Sequence, residues 1–143
     1  MDRDPSFRPR YLELLDQAAV SNPDDPLVLA ALGRRALLQM SAQGVSYLSR
    51  AIRNGVPAPD TFIDLSKALN QAGKSVEATA ALERGASQFP YSKNIRKFLI
   101  LSYIQAKEYK EAEPEMERYV ADFPEDDFMR GLLERVRPDL QKQ

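Results

Sequence analysis

Apolar residues recur along the chain at helical spacing. Phe62, Leu65 and Leu69 lie three and four apart, and Val76, Thr79-Ala80 and Leu82-Glu83 carry the rhythm into the next stretch. Ala72-Gly73-Lys74-Ser75 separates the two, and a glycine followed by serine marks a break between consecutive helices. No Val/Ile/Thr-rich alternation runs between turn dipeptides, so no strands are expected. The pattern predicts an all-α chain of paired helices, about eight of them with roughly 12–15 residues each.

Prolines punctuate this pattern. Pro23, Pro57, Pro90 and Pro124 are separated by 34, 33 and 34 residues. Each follows an apolar-periodic stretch, where a ring that fixes φ and removes an N–H stops a helix. Short polar residues follow closely, able to accept an orphan N–H of the next helix. Asn22-Pro23-Asp24-Asp25, Phe89-Pro90-Tyr91-Ser92 and Phe123-Pro124-Glu125-Asp126 therefore read as helix–stop–start joints. Asn54-Gly55-Val56-Pro57-Ala58-Pro59-Asp60 is a looser version of the same joint.

Two helices per period of roughly 34 residues resemble the tetratricopeptide repeat, whose pattern asks for aromatic-x2-Leu-Gly-x2-Tyr, then Ala-x3-Phe and a closing proline. The middle unit offers Phe62, Leu65-Ser66, Leu69, Ala78, Leu82 and Pro90. The next offers Arg96, Leu99-Ile100, Tyr103, Ala112, Met116 and Pro124, and the one before offers Leu29, Leu32-Gly33, Ala36, Gly44, Leu48 and Pro57. Leu-to-Ala is 13 residues and Ala-to-Pro 12 in the last two units; the earliest has 12 and 13. Upstream, Tyr11, Leu15, Ala18 and Pro23 reproduce a second-helix half, and Asp126-Asp127-Phe128 to Val136 is one more helix, expected to stop at Pro138. The resemblance implies antiparallel helix pairs stacked as a right-handed tetratricopeptide-type α-solenoid. It divides the single domain of residues 1–143 into a half repeat (9–23), repeats 26–57, 59–90 and 93–124, and a capping helix (125–137). The start in mid-repeat suggests a piece of a longer protein.

Composition narrows the chemistry. The 143 residues contain no His and no Cys, which removes the proton shuttle of neutral pH, the Ser-His-Asp triad, the thiolate nucleophile, disulfides and zinc knuckles. Twenty basic residues against 21 acidic give a net charge of −1, without the basic field that nucleic acid requires. The longest wholly apolar runs, Leu27 to Leu32 and Phe98 to Leu101, are too short to insert in a membrane, so a soluble chain is expected. The compartment is not legible.

The remaining candidate chemistry reduces to surface. Glu111, Glu113, Glu115 and Glu117 alternate along a helix and so point to different sides; a solvated face accounts for them better than a carboxylate pair. Pro114 among them is expected near that helix's first turn. Asp122 to Asp127 lacks the glycine and terminal glutamate of a calcium loop, and Gly73-Lys74-Ser75 lacks the upstream glycine of a phosphate loop. No enzyme activity, cofactor or metal is expected.

In tetratricopeptide proteins the first helices line a concave face that takes extended peptides or partner helices. Carried over by register, the groove candidates are Leu27, Arg34 and Leu38 from the first full repeat, then Asp60, Ile63, Asp64, Lys67 and Asn70 from the second. Asn94, Lys97, Leu101 and Gln105 come from the third. The row mixes both charges with amides and aliphatics, as a peptide groove does. Where chaperone-docking relatives hold carboxylates, this sequence has Ala30, Arg34, Asp64, Asn94 and Phe98, so chaperone tails are not expected as ligands. The expected function is thus a non-catalytic scaffold that binds a peptide or helix of a partner protein. The alternative is a structural spacer, self-associating through an N-terminal end that leaves Leu12, Leu15 and Val20 partly exposed.

Overall fold

The computed structural model describes residues 7–55 and 58–140, the side chains of 7–9 and 139–140 excepted. Eight α-helices occupy these residues: α1 (Phe7–Ser21), α2 (Pro26–Leu38), α3 (Gly44–Arg53), α4 (Pro59–Gln71), α5 (Ser75–Gln88), α6 (Lys93–Gln105), α7 (Tyr109–Asp122) and α8 (Asp127–Leu140). Among the described residues there is no strand. The joint at Pro57 lies outside them.

The other three proline joints work as stops followed by caps. After Pro23, the Asp25 carboxylate accepts from the N–H groups of Leu27 (2.8 Å) and Val28 (3.3 Å), with Pro26 as the first helical residue. After Pro90, the Ser92 hydroxyl accepts from the Ile95 N–H at 3.4 Å. After Pro124, Asp126 Oδ1 accepts from the Met129 N–H at 3.1 Å.

The turns inside the helix pairs share one construction. Met40, Gly73 and Lys107 have φ of 55, 76 and 59°, in the left-handed region. In each turn the next residue's N–H reaches back to a carbonyl five residues earlier: Ser41 to Ala36, Lys74 to Leu69 and Glu108 to Tyr103, all at 2.8 Å. This closes the helix end by satisfying a carbonyl that has lost its helical partner.

Two prolines sit differently from expectation. Pro114 lies inside α7, well past its first turn, and its missing N–H deprives the Lys110 carbonyl of a helical donor. Lys110 and Pro114 are both exposed, on a side of the helix where that deficit costs little. Pro138 does not stop α8, which continues to Leu140.

The helices form two compact units dividing between Ala78 and Thr79, within α5. In the first, α2 packs against α1, α3 and α4, and α3 also packs against α4. Leu29, Leu48, Ala51 and Phe62 are fully buried there, with Leu32, Ala36, Leu65 and Leu69 nearly so. Polar groups inside are satisfied locally: the Ser66 hydroxyl donates to the Ile63 carbonyl at 2.7 Å. In the second, α7 packs against α6 and α8 around Ile95, Ile100, Ala112, Met116, Tyr119 and Met129, all fully buried. Burying each large aliphatic contributes roughly 1.5–3 kcal/mol, so these side chains carry most of each unit's cohesion.

Candidate interaction surface

Helix α2 presents the first part of the surface. Leu27, Arg34 and Leu38 are seven and four residues apart, which aligns them on one helical face. The two leucines are 71% and 82% exposed. Asp25 at the N-cap and the Gln39–Met40–Ser41 turn fix this helix at its two ends. Because α4 packs directly on α2, its residues lie alongside. Arg34 Nε donates to Asp64 Oδ2 at 3.2 Å, with the guanidinium more than half exposed and the carboxylate largely covered. Asp60, Asp64 and Lys67 fall on one face of α4 and Asn70 on an adjacent one; Asp60, Lys67 and Asn70 are exposed. Ile63 is a correction. It is 5% exposed and belongs to the core, because its position in the helical turn points it inward beside Phe62 rather than outward beside Asp64.

In the second unit Asn94, Lys97, Leu101 and Gln105 follow one another at three- and four-residue steps along one face of α6. Asn94 and Gln105 are exposed, and Lys97 and Leu101 half-buried. Lys97 is engaged: its Nζ stands 3.5 Å from Asp126 Oδ2. That carboxylate also accepts from the buried Tyr119 hydroxyl at 2.7 Å. The Tyr119 and Met129 donors, then Lys97, hold the Asp126 carboxyl below the usual carboxylate range, while burial and the same hydrogen bond push the Tyr119 phenol up.

The opposite face of α6 carries Arg96, Leu99 and Tyr103. Arg96 occupies the position where the repeat pattern expects an aromatic. Its side chain is 12% exposed, pairs with Asp122 at 2.8 Å, and lays its guanidinium 5.7 Å from the Tyr119 ring centre and 5.6 Å from that of Phe123. The arginine thus fills an aromatic's space with a stacked, charged plane. On this side α5, α6 and α7 enclose a cleft of about 510 Å³. Glu115, read from the sequence as part of a solvated run, lines it and pairs with Arg118, whereas Glu117 pairs with Arg137 at 3.6 Å outside it.

Among the described residues no cluster of acidic, His or Cys side chains could hold a metal ion, and no helix is long and apolar enough to cross a membrane. The Arg50 guanidinium pairs with Asp24 at 3.1 Å, tying α3 to the α1–α2 joint.

Residues 69–136 match the tetratricopeptide repeat family. Over that stretch the chain resembles tetratricopeptide repeats. Its all-α fold is of tetratricopeptide type, similar to a chain of the APC/C hetero-tetramer Cut9-Hcn1, with a TM-score of 0.73 and 22% identity. That likeness covers 87% of this chain and 26% of the other. A MamA structure, MSR-1 C2, is similar at a TM-score of 0.62 and 22% identity, over 77% of this chain and 64% of that one. A mutant of MamA matches to the same extent. The chain therefore spans about a quarter of the first neighbour and less than two thirds of the MamA chains. No curated protein matches it. Tetratricopeptide folds in general support protein-interaction scaffolds, and repeat proteins of that type are generally non-catalytic.

Proposed function

We propose that this chain binds a peptide or helix of a partner protein on the faces of α2 and α4 that carry Leu27, Arg34, Leu38, Asp60, Asp64, Lys67 and Asn70 in the first unit, and that the α6 face with Asn94, Lys97, Leu101 and Gln105 is a candidate surface of the same kind in the second. We also assign its repeats to residues 26–57, 59–90 and 93–124, with a half repeat before them and a capping helix after. The supporting observation is the exposed Leu27–Arg34–Leu38 stripe. Two leucines flank a guanidinium anchored through Nε on Asp64, so the arginine is oriented before any ligand arrives. An apolar–cationic–apolar row suits an amphipathic segment with an acidic residue between apolar ones.

The test is selection from a random-peptide library on the whole chain and on Leu27→Ser/Leu38→Ser. Both positions are solvent-facing, so the double variant removes the stripe and leaves the core intact. Lys97→Glu would be a poorer probe, since it places like charge beside the Asp126 cap. A motif enriched by the chain and lost in the variant supports the reading; equal enrichment by both moves binding elsewhere.

A second reading has its own observation. Helix α1 exposes Tyr11, Leu14 and Val20, the last at 84%, and Leu12 to a lesser degree. Leu15, expected to join them, is buried instead. Exposed apolar side chains spread around a helix favour self-association, and a molecular mass that rises with concentration in sedimentation would support it; a constant monomer mass would reject it.

A further inference from the structure

The cleft between α5, α6 and α7 faces away from the groove candidates of α6 and has no part in the reading above. Its inner wall is Leu99 and Tyr103, both buried, and Tyr91 stands at its rim, 92% exposed. Its charges are unevenly placed. Arg96 is matched by Asp122, and Arg118 by Glu115, which leaves Glu83 of α5 as one negative charge in excess. The Tyr103 hydroxyl hydrogen-bonds Glu83, and the Glu115 carboxylate acts on the same phenol from α7. Both carboxylates line the cleft, Glu83 from α5 and Glu115 from α7. Burial, then Glu83, Glu115 and Glu108, push the Tyr103 phenol up to about 12, which reports a negative potential at that end.

We propose that this cleft is a second docking site, which takes a basic side chain of a partner peptide with its cation on Glu83, the carboxylate that Arg96 and Arg118 leave unmatched, and its alkyl stem along Leu99 and Tyr91. The apolar wall selects a cation carried on a hydrocarbon stem over a bare metal ion, as lysine and arginine bury their stems and keep their charged ends among acceptors. An aromatic ring at the rim adds attraction for the same charge. An acidic guest meets the excess charge of Glu83 and finds both arginines already paired.

The experiment is an NMR titration of the isotope-labelled whole chain with a capped pentapeptide bearing a central arginine. Versions with citrulline or glutamate in its place serve as probes of charge. The arginine peptide is expected to give saturable shifts at the amides of Glu83, Tyr103 and Glu115, with the citrulline peptide about fivefold weaker and the glutamate peptide weaker still. Glu83→Gln/Glu115→Gln is expected to weaken arginine-peptide binding by about fivefold while the melting temperature holds. Glu117→Gln, outside the cleft, keeps full binding. Equal affinity for arginine and citrulline peptides would overturn the proposal. So would shifts gathered away from α5–α7, or no saturable shift at millimolar peptide.

Discussion

Gly33 of α2 lies directly against Leu48 of α3: a methyl group added at Gly33 would stand 2.4 Å from Leu48 Cγ. Leu48 is fully buried and cannot swing clear. Gly33→Ala is therefore expected to lower stability by about 1–2 kcal/mol, overpacking outweighing the gain in helix propensity. Leu48→Ala alone is expected to cost about 2–5 kcal/mol. Urea denaturation of the double variant should show a loss smaller than the sum, because each change relieves the other. Strict additivity would mean that the contact is not felt.

Arg34 and Arg96 make ion pairs of similar length in very different settings. Arg34 is mostly exposed, so Arg34→Ala should change stability by less than about 1 kcal/mol. Arg96 is nearly covered and stacks on two rings; Arg96→Ala is expected to cost about 1–2 kcal/mol, chiefly in lost packing. Thermal or urea unfolding of the two variants side by side checks the order.

These arginines also show what the sequence makes legible. The joints at Pro23, Pro90 and Pro124, the left-handed turn at Gly73 and the buried Leu/Ala/Phe positions follow from local chemistry: a ring that stops a helix, a residue without Cβ, a period of 3.6. Arg96 and Ile63 do not. The first reads as a lapse in an aromatic pattern and is a stacked replacement for it; the second reads as surface and is core. Both depend on which neighbour faces the side chain, and spacing along one helix does not hold that information. The cleft was missed for the same reason, since Glu83, Tyr103 and Glu115 come from three helices. The one available signal was an arginine at an aromatic position next to a tyrosine-rich pair of helices.

Acid should act on the second unit through Asp126. Its carboxyl is held below the usual range, chiefly by the Tyr119 hydroxyl and the Met129 N–H. A depressed acid contributes stability above its unfolded value and loses it as pH falls through the folded one. Tyr119→Phe removes the first-named donor and should move the acid transition of α8 to higher pH. Circular dichroism followed through the carboxylate range reads that shift; an unmoved transition would dissociate Asp126 from it.

Alkali should act through Tyr103. Its phenol is raised from the ordinary tyrosine value to about 12, so the unfolded chain loses this proton first. Stability is full below the lower value and falls as pH rises from there through the higher one. Tyr103→Phe should flatten that alkaline decline, and tyrosinate absorbance should show two phenols, Tyr103 and Tyr119, titrating late in the parent chain and one fewer in the variant.

Met40, Gly73 and Lys107 place three residues in the left-handed region, and only the glycine does so without steric cost. Three turns of one construction thus differ in how tightly they are latched. Hydrogen exchange should reveal this at the amides that close each turn: Ser41 and Glu108 opening readily, Lys74 opening seldom. Lys107→Gly should slow exchange at Glu108. The helix pairs are then hinged at unequal points, and the turn between α4 and α5 is the one that stays shut while its neighbours breathe.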